Sequence, residues 1–441
     1  MHSFSLLATA VALSSSTAAA AFDLTTSFAT KSSYWDQSKD LLGAGAFAKQ
    51  ATPEQEAEYT LVQIQNVVRH GTRFPTKGNT IEIENLLKKL QTSYGDVVPA
   101  WLKTYKLPYN VSVEGELAAA GTKETQAFGA RSRTRVGDAV PRKYSSDKYL
   151  VEHTFIAGFF SNPEDVVLVE HPKKSDLLFR FFDECPRYES QIADNATAQT
   201  ELTAFKATPT FQKTIGSLRT ALNLPADANI TAKDVESAFS ACAFDLALYG
   251  IRDAWCTLLS EDFIETNDYA EDLETFMEHG GGAKISYEIS AVLLRDIYQD
   301  FTKFAGQQNG SLVGHLRFVH AETVLPLMTL LGYADKTPLS GTATASQIAN
   351  RKFRSSRLSP FMANIEFRLY TKRSRSGTTK CRSLEEDDEG GEVKYYAQIR
   401  LNEQVTAVPG CDGKVFCSLS KLKKIWGYYL NDYNFAAECK V

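Results

Sequence analysis

Two apolar runs, far apart in the chain, each end in a histidine, and together they limit what this chain can fold into. The first, YTLVQIQNVV (Tyr59 to Val68), is β-branched and reads as a buried strand ending at Arg69 and His70. The second, HLRFVH (His315 to His320), reads as another buried strand. A helix, ETVLPLMTLLG, follows it and is closed by Gly332. FMANIEFRLY alternates, with Ala363, Ile365, Phe367 and Leu369 on one face and Asn364, Glu366, Arg368 and Tyr370 on the other. YYAQIRL can pair with it antiparallel, and the connection from Thr371 to Glu392 reads as a solvated, charged loop. From about Ser161 to Asp300 the pattern is mostly helical, including DLLFRFFDECPRY, and SVEGELAAAGTKETQAFGARSRTR reads as a helix broken near Gly121. The expectation is an α/β fold with a central mixed sheet flanked by helices, built from residues 22–120 and 286–441. A mainly helical domain, residues 121–285, is inserted in it. Ligands of α/β sheets bind outside the strand ends, where both histidines fall.

The chain of 441 residues is long enough for two domains or one composite domain, and its net charge of -5 argues against a nucleic-acid partner. A polyanionic substrate would have to be met by a local basic pocket. Residues 1–21 read as a secretory signal peptide, with an apolar-to-small run from Phe4 to Leu13 leading into A-x-A cleavage sites. No other run approaches the ~20 apolar residues of a membrane span. The expected location is extracellular, with a vacuolar or lysosomal lumen also compatible. Sequons at Asn110, Asn195, Asn229 and Asn309 agree with that route. There are seven cysteines and no CxxC, so disulfides are expected, with Cys242–Cys256 and Cys411–Cys417 as the local pairs and one thiol over.

The chemistry concentrates in VVRHGTRFPTKGN, where His70 lies between Arg69 and Arg73. Two guanidiniums repel the protonated imidazole and keep it neutral. A neutral imidazole is a nucleophile, and two arginines make a phosphate clamp. His70 would attack phosphorus while Arg69 and Arg73 hold the phosphoryl oxygens. Gly71 lets the backbone approach an anion, and Pro75 stiffens the exit. The plain alternative is a basic surface loop; five fixed positions, R-H-G-x-R-x-P, argue against it. In FVHAET, Glu322 lies just past a strand end and could protonate a departing alkoxide, with His320 on the phosphate. A histidine at a helix start is more often a structural hydrogen-bonder, and only the strand-to-helix context and the first motif favour the functional reading.

RHGTRFP with a distant HAET resembles the histidine acid phosphatase family, and within it the multiple inositol polyphosphate phosphatases, a phytase-like branch that carries His-Ala-Glu at the second motif. LLFRFFDECPRYE, AFDLALYGIRDAWC, RKFRSSRLSPFMANIEFRLY and LNEQVTAVPGC resemble that branch too, in the same order over nearly the whole mature chain. The resemblance implies a histidine-phosphatase-like core with a helical cap and stepwise removal of phosphates from inositol phosphates, with no metal and no cofactor. It implies His70 as nucleophile, Arg69 and Arg73 as phosphate ligands, His320 as a phosphate contact and Glu322 as proton donor, with Lys77 as a further contact. A broad acid phosphatase and a phosphate-ester-binding protein without turnover remain as alternatives.

One departure stands out. The family carries a third phosphate-binding arginine shortly before a SAxAFxxGF-like stretch. The corresponding segment here, DKYLVEHTFIAGFF, matches at Phe155 and Gly158 but has no arginine at the right distance. Arg142 and Lys148 are the nearest substitutes, and a slow or inactive enzyme is expected if neither serves.

Overall fold

A strand-forming run of eleven residues, β1 (Tyr59–Arg69), forms the middle of the sheet, and Ile64, Val67 and Val68 are fully buried in it. The computed structural model describes residues 22–34, 56–152, 158–172, 174–372 and 393–441. The signal-peptide reading, Phe155, Cys381 and nearly all of the charged connection lie outside the described residues. The remaining strands are β2 (Tyr149–Glu152), β3 (Leu168–Val169), β4 (Gly314–Val319), β5 (Asn364–Lys372), β6 (Tyr395–Leu401), β7 (Gln404–Thr406) and β8 (Cys417–Ser418). Their order is β3-β2-β4-β1-β5-β6-β7, with β8 on β6. β1 runs parallel to β4 and antiparallel to β5, so the sheet is mixed, as expected. In the β1–β4 register Arg69 lies opposite Val319. His70 and His320, the next residues, therefore leave the sheet side by side, and the His70 N–H donates to the Val319 carbonyl at 2.9 Å.

The longer helices are α1 (Lys77–Ser93), α2 (Ala119–Val136), α3 (Pro209–Ala221), α4 (Ala232–Tyr249), α5 (Glu261–His279), α6 (Ala291–Ala305) and α7 (Ala321–Leu331). Helices α6 and α7 supply Leu294, Ile297, Val324 and Leu325 to a core under one face of the sheet. Phe128 and Val136 of α2 close the other face over Val68, Leu316 and Phe318. A third cluster joins α1, α3, α4 and α5 away from the sheet. Covering both faces explains why all of Asn364–Tyr370 is buried, the polar face of β5 included. Its polar residues are paired inside, where Glu366 accepts from Arg368 Nε at 2.5 Å; in the β6–β7 turn Glu403 binds Arg131 and Arg135 of α2.

Three sequence expectations change. The sheet draws β2 and β3 from within residues 121–285, the span read as a helical insert, and α1 belongs to the helical cluster although it lies in the span read as core. DLLFRFFDECPRY is not a continuous helix: Asp176 accepts the Phe179 N–H, and turns run to a short helix at Pro186–Tyr188. Helix α2 is not broken at Gly121 but runs through it. Glycine is needed there for close approach: a Cβ on Gly121 would lie 2.2 Å from the Thr72 carbonyl oxygen, and one on Gly71 would lie 2.7 Å from that of Gly121.

The expected disulfides Cys242–Cys256 and Cys411–Cys417 are formed, and a third, Cys185–Cys439, joins residues 254 apart in sequence. Asn110, Asn229 and Asn309 are exposed and Asn195 is half-buried. No helix of the described residues is long and apolar enough to cross a membrane.

Replacing Gly121 by Ala should drive α2 off the histidine loop. Thermal unfolding should show a loss of about 1–3 kcal/mol. The control Gly216→Ala, inside α3 where a Cβ meets nothing within 4 Å, should be neutral or stabilising by up to about 1 kcal/mol.

Candidate active site

The end of β1 delivers His70 into a loop that α2 fastens from below. Glu124 of α2 accepts hydrogen bonds from the Thr72 N–H at 2.8 Å and its hydroxyl at 2.9 Å. His70 Nδ1 lies 2.9 Å from the Gly71 carbonyl oxygen, and its Nε2 lies 3.1 Å from Arg73 Nε. A guanidinium N–H can only donate, so these partners assign the ring proton to Nδ1 and leave a lone pair on Nε2. The imidazole is held well below its usual pKa, chiefly by burial and then by Arg69 and Arg73, with the Gly71 carbonyl opposing. The sequence named the arginines; burial is the larger cause.

Arg73 lines the cavity, whereas Arg69 lies beneath it. Arg69 is buried, its Nη1 donates to the carbonyls of Thr30 and Ser359, and its guanidinium stacks 4.8 Å from the Phe361 ring centre. Burial lowers its pKa to about 9, so it remains a cation at neutral pH. Its Nε is buried without a partner among the described residues.

β4 ends at the N-terminus of α7, with His320 as the capping residue and Glu322 in the first turn. The His70 and His320 rings are 5.8 Å apart between centres. Thr323 ties this turn to the Phe179 carbonyl at 2.6 Å, and the residue after Phe179, Arg180, places Nη1 3.0 Å from His320 Nε2. Asp183 orients that guanidinium through Nε at 2.6 Å. Burial alone would raise the Glu322 pKa. His279, His320, a backbone N–H and Arg69 more than offset that and hold it at about 2. Glu322 is thus held as a carboxylate, whereas the proton-donor role expected from the sequence needs it protonated.

His70, Arg73, Arg180, His320 and Glu322 line one cavity of about 510 Å³ that Glu114 and Thr125 border. Arg180 is the cavity residue that the sequence reading does not name; its signal is a lone cation inside the apolar run Leu177 to Phe182. Arg142, paired with Asp138, and Lys148 are exposed and do not line the cavity. Lys77 is exposed in the first turn of α1, outside the cavity lining, where Thr76 takes its place. Asp296, Asp300 and His315 are spaced to hold a metal ion, but Arg317 lies among them with Nη2 2.6 and 2.9 Å from the two carboxylates. A guanidinium already occupies a cation's place there.

With this geometry in hand, comparison with known proteins is specific. The family model described as histidine phosphatase superfamily (branch 2) matches residues 60–401. The multiple inositol polyphosphate phosphatase 1 of Homo sapiens is 30% identical over 417 residues, covering 86% of this chain and 81% of its own. That of Gallus gallus is 31% identical, covering 86% and 84%. The solved multiple inositol polyphosphate phosphatase of Bifidobacterium longum, in complex with inositol hexasulfate, superposes with a TM-score of 0.65 at 14% identity, covering 90% of this chain and 97% of its own.

An anion entering this cavity adds negative charge beside Glu322 and should raise its pKa from about 2. Binding should therefore take up protons at acid pH, and affinity should fall as pH rises. Sulfate, which does not titrate in that range, is the probe. Calorimetry in buffers of different ionisation enthalpy should detect uptake between about pH 3 and 5, and Glu322→Gln should abolish it.

Proposed function

The chain belongs to the histidine phosphatase superfamily, branch 2, and from that premise we propose that it removes phosphates from inositol polyphosphates such as phytate through a phosphohistidine at His70. The observation that carries this reading is the unprotonated Nε2 of His70, which faces the cavity between Arg73 and the start of α7. Arg73, Arg180 and His320 hold the phosphoryl oxygens, the N-terminus of α7 favours the anion, and the buried charge of Arg69 lies beneath. His70 Nε2 attacks phosphorus in line; the P–N bond forms as the P–O bond to the inositol breaks. The imidazole becomes cationic, and its Nδ1–H goes on donating to the Gly71 carbonyl. With the bound phosphate's charge beside it, Glu322 has by then taken a proton from solvent, which it gives to the leaving alkoxide. The resulting carboxylate takes a proton from water, which attacks phosphorus, breaks the P–N bond and frees phosphate. Arg180 takes over the third arginine's part, so Arg142 and Lys148 are not needed. Lys77, at the edge, is left for an outlying phosphate.

The named activity of the human and chicken relatives and the inositol hexasulfate on the Bifidobacterium protein support this substrate class. Three disulfides fit an oxidising compartment. With the signal-like residues 1–21 and the sequons, they favour a secreted or lumenal glycoprotein.

Rapid quench with labelled phytate should trap an acid-labile, alkali-stable phosphoenzyme that His70→Ala lacks. Glu322→Gln should slow phytate far more than p-nitrophenyl phosphate, whose leaving group needs little protonation. Binding of phytate without phosphate release would reject turnover.

Arg180→Ala should lose about 100–1000-fold in rate, the usual effect of removing one preorganised donor. Arg142→Ala and Lys148→Ala should be nearly silent. A silent Arg180→Ala would remove Arg180 from the machinery.

A further inference from the structure

The cation beneath the cavity, Arg69, is held by groups from two segments that lie far apart in the chain. Its Nη1 donates to the carbonyl of Thr30, 39 residues before it, at 2.5 Å, and to that of Ser359, 290 residues after it, at 2.7 Å. The Phe361 ring, two residues past Ser359, has its centre 4.8 Å from the guanidinium carbon. Thr30 sits in the turn Ala29–Lys31. Ser32, fully buried, closes that turn: its hydroxyl accepts from the Phe28 N–H at 2.9 Å, and its own N–H donates to the Ala29 carbonyl at 3.2 Å. The Ser32 carbonyl accepts from the Phe361 N–H at 3.0 Å. Ala29 has a φ of 47°, left-handed backbone that strains a residue with a Cβ, so the turn does not stand on local preference alone. It is also fastened from outside. The Ala29 N–H donates to Asp268 Oδ1 of α5 at 2.7 Å, Lys31 Nζ lies 2.6 Å from a Glu271 oxygen of the same helix, and the Phe28 and Phe239 ring centres are 4.9 Å apart.

We infer that Ser32 is a positioning residue: it locks the N-terminal turn to the Ser359–Phe361 segment and so fixes the direction in which Arg69 presents its charge beneath the cavity, without touching substrate. Ser32 meets both suppliers of that hold. Its hydroxyl keeps the turn that offers the Thr30 carbonyl, and its carbonyl keeps the segment that offers the Ser359 carbonyl and the Phe361 ring. Both carbonyls take the same nitrogen of Arg69, so a shift of either swings the whole planar fork. Removing the hydroxyl would leave the buried Phe28 N–H without its acceptor, and the strained backbone at Ala29 would relax away from the conformation that faces Thr30 to Arg69. Arg69 is next to His70 in the chain, and after burial it is the first of the charges that hold the imidazole neutral. A guanidinium that swings therefore loosens its grip on the nucleophile as well as on the anion above it. The anchors on α5 carry the same hold outward, since Asp268, which fixes Ala29, is itself held by Arg351 at 2.6 Å.

That Arg69 serves phosphoryl transfer rests on the phosphatase reading; that Ser32 directs Arg69 does not, and the two are tested apart. Sulfate binding to the full chain is measured calorimetrically in a double-mutant cycle of Ser32→Ala and Arg69→Lys. Beside a native Arg69, Ser32→Ala should weaken sulfate about tenfold, a coupling usual for residues of one network. Beside Arg69→Lys it should change the affinity by no more than about twofold, because an ammonium has no fork for the carbonyls to direct. A general loosening of the fold would weaken both backgrounds equally, and equal losses would overturn the inference. So would a Ser32→Ala chain that binds sulfate as the wild type does. In the kinetic arm, Ser32→Ala should lower kcat for phytate and for p-nitrophenyl phosphate by the same factor, because the two esters share the phosphoryl group and differ in the leaving group. A loss confined to phytate would place the effect on the proton donor and count against Ser32 acting through Arg69. A wild-type chain that releases no phosphate from either ester would overturn the phosphatase reading, and the sulfate cycle would still decide Ser32. Should Ser32→Ala fail to fold, Ser32→Cys, similar in size but a weak acceptor, takes its place in the cycle.

Discussion

The parallel pairing of β1 with β4, with Arg69 opposite Val319, is the constraint from which the site follows. It brings together two histidines from distant parts of the chain and turns both out at one end of the sheet. A slip of one residue would exchange the faces of the strand and send one motif into the core. The register is held because both faces are buried: Val67 and Val68 point into different cores, and neither can be moved to water. The helices therefore do more than cover the sheet. By burying both faces they fix where His70 and His320 emerge, and α2 then pins the first loop through Glu124 and the Gly71–Gly121 approach.

A neutral imidazole between cations is stable only because the cations are themselves held. Arg69 is anchored on two backbone carbonyls and an aromatic ring, so its charge stays in place without blocking the cavity. Arg73 donates Nε to the very lone pair that would attack. An incoming phosphate offers Arg73 stronger, charge-assisted acceptors, and moving to them uncovers the nucleophile. The same anion raises the Glu322 pKa. On the proposed reading one ligand would prepare both ends of the reaction, the nucleophile by removing its hydrogen bond and the acid by supplying the charge that makes it protonate.

What could be read in the sequence was local. The Tyr59–Arg69 and Gly314–Val319 strands, the helix from Ala321 with its left-handed Gly332, and the β5–β6 pair all announce themselves by composition and periodicity within a dozen residues. Their expected positions hold. Gly121 was misread because glycine lowers helix propensity wherever it stands, while its reason for being there is a carbonyl almost fifty residues earlier. β2 and β3 are too short to show a period. The partners of Cys185 and Arg180 lie 254 and 140 residues away, distances at which spacing carries no signal. Arg142 and Lys148 were nearest along the chain to the missing arginine, but nearness along the chain did not bring either to the cavity.

On the proposed reading, Arg180 is the donor for the phosphoryl oxygen that the arginine missing before Phe155 would have met. A phosphoryl oxygen demands a donor at a point in space and is indifferent to the strand that supplies it. The Arg180 guanidinium is already partly committed. Asp183 takes the Nε and Nη2 edge of the Arg180 guanidinium, and Nη1 is the edge turned to His320. A guanidinium used in this way offers phosphate one donor where an uncommitted one offers a fork of two. The carboxylate also cancels part of the charge that the arginine brings. Asp183 therefore fixes the direction of the donor at the expense of its strength, and on the proposed reading a product phosphate held by one arm would leave more readily than one held by two.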